Sequence, residues 1–221
     1  TEMKLFKAER YFLFVLLFAG WTSLTFAETP LRAPLVLSPI TVNDTDKSIR
    51  VDGYLVDWPQ TRMILLNQKK QATFGVLNWK SEYSFSGRIF MTYDDQYLYL
   101  SAIVQKQSDV VNTNKGMALW DGDCIELFLS SDPSSKHPTH ITKSDYHIGF
   151  SPGTGCRDPQ MYCFNKETAI GGGRVSARPS LHGYILEAWV PVSFVHGLEI
   201  GPDKATRFNL ALDEGGASSG N

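Results

Sequence analysis

Trp120 is followed by Asp121-Gly122-Asp123 and then by Cys124-Ile125-Glu126-Leu127-Phe128, so an indole and a tight acidic turn lead straight into a segment with strand alternation. Successive side chains of a strand point to opposite sides. That places Ile125, Leu127 and Leu129 on one face and Cys124, Glu126 and Phe128 on the other. Glu126 therefore leaves the apolar face. An indole offers a flat apolar surface to C–H groups and a carboxylate accepts from hydroxyls, so the two together have the parts to grip a polyhydroxylated ring. The plain alternative is a surface glutamate beside a tryptophan that covers a loop. A second alternating segment, 145–151, carries Tyr146, Ile148 and Phe150 on one side and Asp145, His147 and Gly149 on the other. His147, like Glu126, is turned away from its strand's apolar stripe.

Other constellations carry less chemistry. Asp121 and Asp123 flank Gly122, but glycoside hydrolysis needs two carboxyl groups about 5–9.5 Å apart across a cleft, and an exposed turn of this kind suits capping or calcium ligation better. His137-Pro138-Thr139-His140 lies in a polar, proline-containing loop and lacks a third metal ligand nearby. Gly171-Gly172-Gly173 precedes a strand pattern rather than a helix, so it is no phosphate loop. Cys156 and Cys163 bracket a short turn-rich loop and are expected to pair as a disulfide in an oxidising compartment. Cys124, inside a strand, reads as a small buried apolar residue.

The elements that must position these groups are short strands. Segment 88–93 alternates, Asp94-Asp95-Gln96 makes a turn, and 97–104 alternates again with Leu98, Leu100, Ala102 and Val104 as its apolar stripe, which predicts a hairpin. Further strands are expected around 174–177, 183–190 and 208–212, with Ile49-Arg50-Val51-Asp52-Gly53 ending another in a turn. No segment has the periodicity of a long amphipathic helix, and no internal repeat is visible. The pattern predicts one all-β domain, an antiparallel β-sandwich of two sheets, over 49–221, preceded by a proline-rich leader over 28–48. Aromatic residues make up 12% of the chain, with nine Tyr and five Trp, a composition that suits strands and a ring-lined surface.

The formal net charge is −2, with both signs interspersed and no block of Lys or Arg. Nucleic acid and anionic membrane surfaces are thereby excluded as expected partners. Lys4, Lys7 and Arg10 precede an apolar run over 11–21, and small and polar residues follow to Ala27. That is the pattern of a secretory signal peptide over 1–27, and the run is shorter than the roughly 20 apolar residues of a spanning helix. The expected product is secreted or periplasmic.

In order along the chain, Val51-Asp52-Gly53 with Asp57-Trp58, Tyr93-Asp94-Asp95-Gln96-Tyr97-Leu98-Tyr99, the block 120–128, Gly183-Tyr184-Ile185-Leu186-Glu187-Ala188 and Phe208-Asn209-Leu210 resemble the family 9 carbohydrate-binding modules and the wider DOMON-like sandwiches. The resemblance implies a jelly-roll or Ig-like two-sheet fold, structural calcium, and non-catalytic binding of a carbohydrate ligand between two tryptophans. Trp120 matches the first tryptophan and Glu126 a sugar-contacting glutamate. His147 falls where an arginine contacts the sugar, and Asn209 lies in the late Phe-Asn block. The second tryptophan would follow that block, and none stands between Asn209 and Asn221. Two readings stay open: the sequence is a fragment, fused to further domains beyond Asn221, or the clamp has one aromatic half. Trp189 is a substitute in principle, although a strand tryptophan more often packs. The resemblance leaves two alternatives in other classes: the front of a glycoside hydrolase whose catalytic residues lie elsewhere, and a haem-binding electron-transfer domain with Met91, Met117 or Met161 and a histidine as axial ligands.

Overall fold

The computed structural model describes residues 49–59, 62–73, 75–132, 141–201, 204 and 206–215. The expected signal peptide and leader, the His137 to His140 loop and the final residues to Asn221 lie outside them. Ten strands occur among the described residues: β1 (Ile64–Leu66), β2 (Phe85–Tyr93), β3 (Tyr97–Lys106), β4 (Cys124–Ser130), β5 (Asp145–Ser151), β6 (Gln160–Cys163), β7 (Thr168–Ala169), β8 (Arg174–Ser180), β9 (Gly183–Pro191) and β10 (Arg207–Asp213). The only helical elements among the described residues are short 3₁₀ turns, and no helix there is long and apolar enough to cross a membrane.

The strands form two five-stranded sheets, in the order β1-β2-β3-β9-β8 and β10-β4-β5-β6-β7, with every pairing antiparallel. This is the expected β-sandwich. The apolar stripes meet between the sheets, where Ile89, Met91, Leu100 and Leu186 of the first pack with Ile125, Leu127, Ile148 and Phe150 of the second. Ile125 and Leu127 are completely buried and Leu129 nearly so. Slipping β4 by one residue would expose all three, at roughly 1.5–3 kcal/mol each. Their burial fixes Cys124, Glu126 and Phe128 on the outer face.

Three local expectations are corrected. Residues 49–53 form no strand: they lie over the outer face of the first sheet, and their polar groups bond to side chains instead. Glu187 on β9 is wholly buried and accepts from the N–H groups of Asp52 at 3.1 Å and Gly53 at 2.5 Å and from Trp58 Nε1 at 2.5 Å. Gly53 turns at φ +91°, a left-handed backbone that favours glycine. The guanidinium groups of Arg174 and Arg178 donate to the carbonyls of Val51 and Gly53. The separated Val-Asp-Gly and Asp-Trp motifs are thus two halves of one clasp.

The second correction concerns the cysteines, all three of which are free thiols. Cys163 points into the core from β6, opposite Ile148, while Cys156 sits in the preceding turn at φ +62°. No Cys156 to Cys163 bridge is formed. The third is Asp123, expected in an exposed turn and in fact fully buried. Lys106, the last residue of β3, binds both of its carboxylate oxygens at 2.7 Å.

Candidate functional site

The outer face of the second sheet gathers the groups singled out by sequence. On β4 and β5 the register sets Glu126 opposite Gly149 and Phe128 opposite His147, so Glu126 and His147 are diagonal neighbours on one face, within reach of long side chains. His147 Nε2 contacts Glu126 Oε2. The imidazole is held between two phenyl rings: Phe128 stacks on it at 4.0 Å between centroids and 19° between planes, and Phe164 approaches at 4.7 Å and 59°. The N–H of His147 donates to Asn165 Oδ1 at 2.9 Å, and Asn165 Nδ2 donates to the carbonyl of Asp145 at 2.7 Å. The side chains of His147 and Glu126 are 12% and 13% exposed, so a ligand could touch only their outer edges.

Gly149 is what lets this arrangement form. A Cβ there would lie 2.5 Å from Phe164 Cζ and 3.1 Å from Cys124 Sγ, so the missing side chain makes room for the Phe164 ring. Leu119, Cys124 and Phe164 form a small second core on this outer face, and Trp120 and Tyr162 pack on it half-buried. Burial pushes the Cys124 thiol well above its usual range. It stays a neutral packing group.

Trp120 is carried by a loop that is bonded at several points. Asn112 Nδ2 donates to the carbonyls of Leu119 at 2.7 Å and Asp123 at 3.0 Å, and Asn114 Nδ2 donates to that of Asp121 at 2.8 Å. Beneath them Asp123 binds Lys106 and accepts from the N–H groups of Val111 at 2.6 Å and Gly215 at 3.1 Å. One buried ion pair thus ties the end of β3, the start of β4 and the residues after β10 to the loop that presents the indole.

Asn209 on β10 faces the same side as Glu126, opposite Phe128 in register. It is exposed, and its Oδ1 accepts the N–H of Leu210 at 2.9 Å. Four residues further along the strand, Asp213 occupies the same face opposite Cys124. Its carboxyl lies against that of Glu126, and burial first, then the Glu126 charge, push it well above the ordinary carboxylate range. Trp189, in contrast, lies on the outer face of the other sheet. Its ring packs at 5.3 Å from that of Tyr97, Arg174 lies over it at 5.8 Å, and its Nε1 donates to Gly172. It cannot complete a clamp with Trp120.

Residues 51–216 match the family described as carbohydrate family 9 binding domain-like. The chain belongs to this family. Two solved structures of a carbohydrate binding module family 9 (CBM9) from Caldicellulosiruptor kristjanssonii share the fold of this family 9 domain. The one in complex with glucose is 18% identical, with a TM-score of 0.50 over 77% of this chain and 76% of that chain. The one in complex with cellotriose is 17% identical, with a TM-score of 0.53 over 77% and 75%. No curated protein matches.

Within this family 9 domain, the structure brings Glu126 and His147 into contact, sets Asn209 on their face and places Trp120 on the adjoining aromatic cluster. Phe128, Tyr162, Phe164 and Asp213 are additions that sequence reading did not assign to the site. Asp213 shares strand parity with Asn209, but only the β10–β4 register sets it beside Glu126. Phe164 has no such signal, since it enters from a 3₁₀ turn, Phe164–Lys166. As for the calcium that the resemblance implies, among the described residues no group of three or more His, Cys, Asp or Glu is placed to hold a metal ion. Asp123, one of the two carboxylates considered for it, is taken by Lys106.

Proposed function

We propose that this family 9 domain binds carbohydrate without breaking a bond, taking a sugar ring against Trp120 and its hydroxyls at the exposed edges of Glu126 and His147, with Asn209 at the rim. The observation that carries the reading is the Glu126–His147 contact, locked between Phe128 and Phe164 on an outer sheet face beside a half-buried indole. A face that needed only to meet water would not require a paired carboxylate and imidazole wedged between rings. The solved relatives, in complex with glucose and with cellotriose, fit a ligand that is a glucose unit or a short β-linked chain of them. The basic and apolar residues between Lys4 and Ala27 support export, with the domain serving a secreted or periplasmic protein of carbohydrate catabolism. Any hydrolysis would belong to a covalently attached domain.

Calorimetry with glucose and cellotriose tests the reading. Trp120→Ala should lose roughly 2 kcal/mol, about 30-fold in affinity, as expected for an aromatic hot spot. The retained β-sheet circular dichroism of that variant would separate lost binding from lost fold. Wild-type protein that binds neither these sugars nor a wider panel would leave the family likeness a statement about fold.

A further inference from the structure

We infer that Asp213 is a positioning residue of this site, joined to Glu126 by a proton held between their two carboxyl groups, and that sugar affinity falls as pH rises and the proton leaves. The inference rests on the proposed sugar-binding reading.

The argument starts from an atom without a donor. Asp213 Oδ2 is buried and accepts no hydrogen bond. An ionised carboxylate in that state is costly, because a buried charge needs pairing and hydrogen bonds. Diagonal to it on the same face, across the β10–β4 pairing, stands another carboxyl, that of Glu126, whose Oε2 is already met by His147 Nε2. Two carboxyl groups satisfy one another only when one of them keeps its proton. The remaining neighbours offer no rescue. From β4, Cys124 stands opposite and Asp123 adds negative charge nearby. From the facing sheet comes Tyr184, whose buried hydroxyl keeps its proton but makes no hydrogen bond to Asp213. Lys106 is bound by both oxygens of Asp123. From β5, His147 stands on the far side of Glu126.

With the proton in place, the Asp213 hydroxyl donates to Glu126, and the glutamate is fixed from both sides: Asp213 on one, His147 on the other. Its outer edge then has a single orientation to offer a sugar hydroxyl. Loss of the proton leaves two like charges side by side, and the glutamate must swing away from the acid or from the imidazole. The proton lies between the two groups and belongs to both carboxyls.

Stability carries the same sign. A carboxyl whose folded pKa is raised holds its proton after the unfolded chain has lost it, so stability falls as pH rises from the ordinary Asp value of about 3.9 toward the folded value. Asp213→Asn, which cannot ionise, should remove that decline.

The test is a pH profile of cellotriose affinity by calorimetry on the full chain, with Asp213→Asn and Asp213→Ala beside it. His147 is unchanged in all three, so the comparison isolates position 213. The wild type should lose roughly tenfold on its alkaline limb, the scale of one lost hydrogen bond to a charged group. Asp213→Asn, whose amide donates to Glu126 at every pH, should flatten that limb. Asp213→Ala, with no donor, should bind roughly tenfold more weakly throughout, and the amide variant should recover most of the loss. An infrared band of a protonated carboxyl at neutral pH, gone in Asp213→Asn, reports the proton without any sugar. Absence of that band in the wild type overturns the shared proton. Sugar binding with an alkaline limb unmoved by Asp213→Asn overturns the positioning role alone. The band without binding of any sugar overturns the function reading and the positioning role with it.

Discussion

Asp123→Ala should lower the unfolding free energy by about 3–5 kcal/mol, the cost of leaving one member of a buried ion pair without its partner. Both side chains of the Lys106–Asp123 pair are 0% exposed, so water cannot replace the lost carboxylate. The same oxygens also accept from Val111 and Gly215, and those amides would be stranded too. Against a typical total of 5–15 kcal/mol, the variant is expected to be marginal. Urea denaturation at neutral pH reads the effect directly. Replacing Lys106 and Asp123 together by apolar residues of similar volume should cost less than Asp123→Ala alone, because no charge is then left buried. Sugar affinity should fall with the single variant even under conditions where it stays folded, since the loop carrying Trp120 is bonded to the backbone around Asp123.

Glu187→Ala is the second large expected effect, about 3 kcal/mol of destabilisation. Its carboxylate collects three N–H donors, and each donor left unsatisfied in a buried setting costs on the order of 1–3 kcal/mol, offset in part by water entering beside Trp58. Glu187→Gln should cost less, because the amide oxygen keeps an acceptor in place. Tryptophan fluorescence distinguishes this from a general loss of packing. Detachment of the clasp should move Trp58 toward solvent early in a denaturant titration, ahead of the main transition. A single transition, shifted but not split, would mean that residues 49–58 unfold with the sandwich.

The strands that were legible in the sequence are those with a clear period. The 88–104 hairpin, β4, β5 and β9 each bury one parity of side chains, and alternation reveals this directly. β1 and β7 are short sheet-edge strands and β6 is a short strand between β5 and β7, none with a period long enough to see. The clasp at Val51 to Trp58 was visible as a motif but not as an element, because its hydrogen bonds go to the Glu187 side chain rather than to a neighbouring strand. The burial of Asp123 had a signal: continuing the apolar stripe Leu98, Leu100, Ala102, Val104 by one step lands on Lys106, and a lysine on an inward stripe calls for a buried partner. The expected disulfide failed because spacing alone cannot show that Cys163 is aimed into the core.

At the site, strand parity was enough to put Glu126 and His147 on outward faces. It was not enough to join them. That required the register pairing Glu126 with Gly149, and the register depends on packing across the whole sheet. Asp213 stayed out of view for a related reason. Its significance comes from standing beside Glu126 on another strand, a proximity no spacing within either segment contains.

The pair of phenyl rings around His147 has a consequence for how a ligand is met. Imidazole and carboxylate are held in one arrangement before any ligand arrives, so their rotational freedom is surrendered when the chain folds rather than when a ligand docks. Binding to such a surface resembles the meeting of two rigid bodies. Differences in affinity among ligands should then show up as differences in how long each one stays, with arrival rates nearly the same for all.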